Sequence, residues 1–240
     1  MQLPHPEQFI LLDIETVSQY AQYEQMPDIW KQLWQEKTAW MLTGDTTPEI
    51  FYGERASIMA EFGKVICISL GYFKEDAGEL RLRLKSFAGH DEKQVITQLV
   101  DAVAKLMNAR KMRLWFGGHN IREFDIPYLC RRMLIHQMAL PPWLDFQAMK
   151  PWEVPMLDTM QLWKFGDHKH FTSLKLLAAC LGIPSPKEDI DGSMVGEIYW
   201  KEQGLDRIAA YCERDVATVA QLLLRFSNKP LLTSSQITTA

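Results

Sequence analysis

The stretch Phe9–Glu15 (FILLDIE) constrains the fold more than any other part of this chain. Its alternation reads as a β-strand, with Ile10, Leu12 and Ile14 on one face and Leu11, Asp13 and Glu15 on the other. At a rise of about 3.3 Å per residue, the two carboxylates stand about 7 Å apart along the chain. An unpaired charge among such apolar neighbours costs several kcal/mol. Either the strand enters solvent at Asp13, as acids mostly do, or something cationic compensates the pair.

Two more strands follow, at Lys64–Phe73 (KVICISLGYF) and Leu80–Phe87 (LRLRLKSF), joined as a hairpin by a linker containing Asp76 and Gly78. Val95, Ile96, Leu99, Val100, Val103 and Leu106 have helical spacing, which places a helix over Asp91–Met107. Arg113–Gly117 is a short strand leading into a helix over Glu123–His136. Met156–Trp163 is a fifth strand, and Ser173–Leu181 a helix stopped by Gly182 and Pro184. Asp206–Phe226 is a long final helix. Three successive strands, then alternating helix and strand, predict an α/β domain over residues 1–226 with a mixed five-stranded sheet flanked by helices. Residues 17–62 form a helical insertion between the first two strands. Its stripe of Ile29, Trp30, Leu33, Trp34 and Trp40 is expected in a core or an oligomer surface more than in a base-stacking platform. Residues 185–204, rich in Pro, Gly and acid, read as a loop or lid, and residues 227–240 as a frayed tail.

Composition removes several function classes. A net charge of -4 disfavours a protein that coats duplex DNA non-specifically, though not an enzyme whose carboxylates hold cations. Cysteines 67, 130, 180 and 212 form no CxxC pair, which excludes zinc ribbons and thioredoxin-type chemistry and suits a reducing compartment. No basic leader precedes Phe9–Leu12, and no run approaches the ~18 apolar residues of a membrane span, so a cytoplasmic location is expected. Gly117-Gly118 does not complete a dinucleotide-binding fingerprint, and no nucleophile elbow occurs. His168 and His170 have no zinc-ligand spacing to any cysteine and read as loop histidines, near phosphate alongside Lys164, Lys169 and Lys175.

Two further acids have ordinary explanations when taken alone. Asp125 sits at a helix entry beside Pro127, where a first-turn acid is favoured anyway. Tyr211 and Asp215, four apart on the last helix, share a face and fit a packed tyrosine with an exposed acid. Glu213 points elsewhere and reads as solvated. Taken together, Asp13, Glu15, Asp125 and Asp215 form the all-oxygen set that two hard divalent cations need, and phosphodiester hydrolysis is the main use of such a pair.

The segments Leu12-Asp13-Ile14-Glu15-Thr16, Asn120-Ile121-Arg122-Glu123-Phe124-Asp125-Ile126-Pro127-Tyr128-Leu129 and Tyr211-Cys212-Glu213-Arg214-Asp215 closely resemble the three exonuclease motifs of family B DNA polymerases. More broadly, the chain is similar to the DEDD 3′–5′ exonucleases with their ribonuclease-H-like fold. The resemblance spans residues 9 to about 225, and its middle motif is the most specific. A tyrosine four before Asp215 selects the tyrosine branch (DEDDy); the histidine branch needs His where Ala210 stands. The resemblance implies that Asp13, Glu15, Asp125 and Asp215 ligate two divalent cations, Mg²⁺ or Mn²⁺, and that Tyr211 positions the attacking water. It also places Thr16, Asn120 and Phe124 toward substrate. Thr16 would offer its backbone or hydroxyl to the terminal nucleotide, while Phe124 is either core, which is favoured, or a base-stacking surface. Asp158-Thr159 resembles a pair found at that place in some exonucleases, and is read as structural. Only 25 residues follow Asp215, so a stand-alone relative of the proofreading module is expected. The implied activity is removal of nucleotides from single-stranded 3′ ends, of DNA in preference to RNA. The alternatives are an exoribonuclease of the ribonuclease D type and a non-catalytic nucleic-acid-binding module.

Overall fold

The two apolar faces of the first strand are covered by different helices. The computed structural model describes residues 2–110, 113–150, 152–167, 171–184 and 190–239. Strand β1 (Phe9–Ser18) is followed by α1 (Asp28–Thr38), α2 (Pro48–Arg55), β2 (Gly63–Asp76), β3 (Glu79–Ala88), α3 (Glu92–Arg110), β4 (Trp115–Gly118) and α4 (Asp125–Ile135). Next come β5 (Met156–Asp158), α5 (Thr159–Lys164), α6 (Leu174–Cys180), α7 (Val195–Glu197), α8 (Leu205–Phe226) and β6 (Ile237–Thr239). Among the described residues these strands make one mixed sheet in the order β5-β4-β1-β2-β3-β6. β1, β2 and β3 pair antiparallel, and β4, β5 and β6 join by parallel pairing.

Ile10, Leu12 and Ile14 bury against α3 and α4 with Ile96, Leu99, Ile126 and Leu129. Phe9 and Leu11 on the opposite face meet Val216, Ala220 and Leu223 of α8. Each such fully buried side chain contributes roughly 1.5–3 kcal/mol relative to exposure. Glycine occupies points where α8 contacts the sheet. A Cβ on Gly71 would meet Val216 Cγ1 at 2.6 Å, and one on Gly117 would meet Leu11 Cδ2 at 2.7 Å and Leu223 Cδ1 at 3.3 Å. This approach brings the N-terminal half of α8 over the polar end of β1. There the β1–β2 register slips between Glu15 and Thr16, which pair with Cys67 and Val65. The extra residue, Ile66, bulges β2 and re-aims the neighbouring side chains.

Several expectations need correction. The sheet has six strands, not five, because residues 237–239 of the supposed tail pair with Leu82–Leu84 of β3. Buried Gln221 of α8 holds this segment, donating to Leu232 O (2.8 Å) and accepting from Leu232 N (2.9 Å). Met156–Trp163 is not one strand: Asp158 accepts from Met160 N (3.0 Å) and Gln161 N (3.3 Å), capping a helix at Thr159. In the expected loop or lid at 185–204, residues 190–204 fold onto the body. Ile190, Val195, Ile198 and Tyr199 pack with Val17, Ile66, Ile208 and Cys212. Residues 185–189, and His168, Lys169 and His170, lie outside the described residues. The insertion is helical, with Trp34 wholly buried among Tyr52, Phe51 and Phe62, while Trp40 is 77% exposed.

Candidate active site

Asp13 and Glu15 continue the α8-facing side of β1, so the strand delivers both carboxylates beneath the helix. Asp125 begins α4, and its Oδ1 accepts from Ile14 N at 3.2 Å, the amide between those two acids. One backbone hydrogen bond thereby fixes the middle motif against the first. Tyr211 and Asp215 sit one helical turn apart on α8, and the Tyr211 hydroxyl donates to Asp215. Both line a cavity of about 340 Å³ with Ser173, Lys175, Asp191 and Thr218. A Cβ on Gly192 would lie 4.0 Å from the hydroxyl, so the turn at Asp191–Met194 passes beside Tyr211.

Each of these groups feels the charge of others in the set. Burial first, and then the charges of Glu15, Asp125 and Asp215, hold the Asp13 carboxyl well above the usual carboxylate range. Glu15 is raised for the same reasons, with Asp215 its leading charged neighbour. Burial pushes Asp125 up to about 7, against the lowering effect of its backbone hydrogen bonds. Burial and then Asp215, Glu15 and Asp13 push the Tyr211 phenol upward, so it stays a neutral donor. Four acids that repel one another in a low-dielectric site call for bound positive charge. Glu15 is only 9% exposed, yet among the described residues no hydrogen-bond donor or cation reaches its carboxylate. A divalent cation fits this donor set, because it supplies the missing partner without adding a side chain.

The remaining candidates lie around this centre. Thr16 is buried at the bulge beside Glu15. Asn120 adopts a left-handed conformation (φ 64°), and among the described residues its buried Oδ1 has no partner. Phe124 is half-buried and packs on the α3–α4 side of the core against Tyr128, at 5.4 Å between rings. Asp158 holds the Asn120 turn, accepting from Asn120 N (3.0 Å) and Arg122 N (3.2 Å) while it caps α5. Glu213 is half-buried and accepts from Ser86 Oγ (2.8 Å) and Thr239 Oγ1 (3.0 Å), tying α8 to β3 and β6. Sequence reasoning passed over Cys212, whose thiol donates to Asp13 Oδ2 at 3.2 Å. Its spacing of three from Asp215 on one helix was the available signal. A larger hollow of about 660 Å³ lies at the insertion, between Met26, Trp30, Leu33, Phe62 and Ile135. It is mostly apolar and none of the four acids lines it, whereas Tyr211 and Asp215 line the smaller one.

Residues 57–230 match the family model described as "Predicted 3'-5' exonuclease related to the exonuclease domain of PolB". The chain belongs to that family. The matched region contains Asp125, Tyr211 and Asp215, while Asp13 and Glu15 precede it. The fold is similar to part of the family B DNA polymerase from the hyperthermophilic archaeon Pyrobaculum calidifontis, with a TM-score of 0.52 and 18% identity. That likeness covers 93% of this chain and 25% of the polymerase chain, so the two share a fold over about a quarter of the larger protein. No curated protein matches the chain. Among the described residues, no helix is long and apolar enough to cross a membrane.

Proposed function

We propose that this protein is a metal-dependent 3′–5′ exonuclease of the tyrosine-type DEDD class, built on a ribonuclease-H-like sheet and acting on single-stranded DNA ends. The observation that carries this reading is the convergence of three sequence-distant elements on one space. β1 supplies Asp13 and Glu15, the start of α4 supplies Asp125, and one turn of α8 supplies Tyr211 and Asp215. The four carboxylates would hold two cations, Mg²⁺ or Mn²⁺. Such cations supply Lewis-acid activation of water and neutralise charge on the leaving 3′ oxygen. The Tyr211 hydroxyl, kept protonated by its surroundings, would hold and orient the attacking water. Thr16 and Asn120 Oδ1, which has no partner among the described residues, would face the terminal nucleotide, while the Phe124 ring packs into the core. Burial of Asp13, Glu15 and Asp125 beneath α8 favours an unpaired end, whose terminal phosphodiester can reach them without a second strand. Kinship with a DNA polymerase's exonuclease domain favours DNA.

The test is digestion of DNA and RNA oligonucleotides of one sequence, labelled at either end, in Mg²⁺ or Mn²⁺. The expected result is a 5′-labelled ladder that shortens one nucleotide at a time, while a 3′ label is released at once, with DNA consumed faster. Faster digestion of RNA would move the substrate to the ribonucleolytic class. Shortening from the 5′ end would overturn the polarity.

A further inference from the structure

The four carboxylates do not exhaust the ligands in this cleft. Cys212 Sγ lies 3.2 Å from Asp13 Oδ2 and 3.4 Å from Asp13 O, under a helix whose next turn carries Asp215. Ligand atoms of Asp13, Glu15 and Cys212 all fall within 4.8 Å of one another. That span suits the coordination of one ion, with Zn–S near 2.3 Å and Zn–O near 2.0–2.2 Å. Independently, Glu15 is nine-tenths buried as a residue, and among the described residues its carboxylate has no donor or cation of its own. Behind Cys212 lies a second buried thiol, Cys67, hydrogen-bonded to it and paired with Glu15 across β1 and β2. A hard ion such as Mg²⁺ has no use for sulfur, whereas a soft or borderline ion selects it.

We infer that Asp13, Glu15 and Cys212 form a mixed oxygen–sulfur site that captures a thiophilic divalent cation, of the Zn²⁺ or Cd²⁺ type, in competition with the hard cations of the reaction. The inference rests on the proposed role of Asp13 and Glu15 as cation ligands. Binding replaces the thiol proton, which now points at Asp13 Oδ2, by the metal, and that proton leaves to solvent. The captured ion occupies two carboxylates of the hydrolytic set while adding a strongly held thiolate, so it blocks the site rather than serving it. Micromolar Zn²⁺ or Cd²⁺ would then arrest digestion in the presence of excess Mg²⁺.

The test uses the full chain carrying Cys130→Ala and Cys180→Ala, which leaves Cys67 and Cys212 as its thiols. Co²⁺ and Cd²⁺ are titrated in while thiolate-to-metal charge-transfer absorption and heat of binding are recorded. One ion per chain with a charge-transfer band is expected. Cys212→Ser should abolish or sharply reduce the band, and Cys212→Ser or Glu15→Gln should weaken Cd²⁺ binding at least ~10–100-fold, the loss typical even of outer partners of a metal. Cys212→Ala serves as a second variant, with far-ultraviolet circular dichroism confirming that each protein is folded. No band in the parent, or an undiminished band in folded Cys212→Ser and Cys212→Ala, overturns the site, as does unchanged Cd²⁺ affinity in Glu15→Gln. If Mg²⁺-dependent digestion persists while the band is absent, this inference alone fails. If the band forms in a protein that digests no nucleic acid with any divalent ion, the thiol site stands and the exonuclease reading fails.

Discussion

Tyr211 separates a structural phenol from a working one, because its ring and its hydroxyl can be tested apart. Tyr211→Phe keeps the buried ring and loses the bond to Asp215. Water-holding and proton-transfer groups contribute about 10²–10⁴-fold, and cations already organise this water, so a fall in kcat of about 10²-fold is expected. KM should change little, since the bond matters chiefly in the transition state. Single-turnover cleavage at saturating Mg²⁺ measures it, and equal rates would return Tyr211 to the core. Glu213, two residues further on, should behave in the opposite way. Glu213→Ala should keep near-normal digestion but lose about 1 kcal/mol of stability in a denaturant titration, because the bonds tying α8 to β3 and β6 are lost, while Ser86 keeps its bond to Ser69. At this scale the sequence was informative where side-chain direction follows from period: Asp13 and Glu15 by alternation, Tyr211 and Asp215 by the helical turn. It was silent on Glu213's partners, since Ser86 and Thr239 are 127 and 26 residues away.

Among the elements, the turn from β4 into α4 depends on one carboxylate. Asp158 Oδ1 and Oδ2 accept four backbone amides, from Asn120, Arg122, Met160 and Gln161. Asp158→Ala orphans all four, and losing a helix cap alone costs about 0.5–2 kcal/mol. A lower melting temperature is expected, together with slower digestion through a misplaced Asn120. Undiminished activity and an unchanged melting temperature in Asp158→Ala would count against this positioning role. The long elements were legible because their periodicity runs over many residues: β1 to β3, α3 and α8 lie close to where the pattern puts them. What escaped was decided by single tertiary contacts. β5 stops at its own capping residue, Asp158, and β6 exists because Gln221 anchors Leu232 and steers three residues onto β3. Residues 190–204 have a loop's composition, yet their four buried apolar side chains find a surface that only the folded sheet and α8 create.

For the molecule as a whole, the buried acids make the metal-free protein sensitive to pH. A carboxyl whose folded pKa is raised stabilises the fold below its ordinary range, and that contribution is lost as pH rises through the folded value. Asp13 and Glu15 are raised and Asp125 stands at about 7, so in chelator the melting temperature should fall as pH increases from the ordinary carboxylate range through about 7. Mg²⁺ or Mn²⁺ should restore more stability above that window than below it, because binding favours the ionised acids. Asp125→Asn should flatten the decline. A melting temperature that rises with pH in chelator would contradict the electrostatics of the cleft. The most direct measurement is single-turnover digestion of a 5′-labelled single-stranded oligonucleotide by the wild-type protein, Asp13→Asn and Asp125→Asn, each with Mg²⁺, with Mn²⁺ and in excess chelator. Shortening from the 3′ end by the wild-type protein with either ion, and by neither variant nor any protein in chelator, is the expected result. Digestion that survives chelation, or that proceeds at the wild-type rate in folded Asp13→Asn and Asp125→Asn, would contradict a carboxylate-held metal centre.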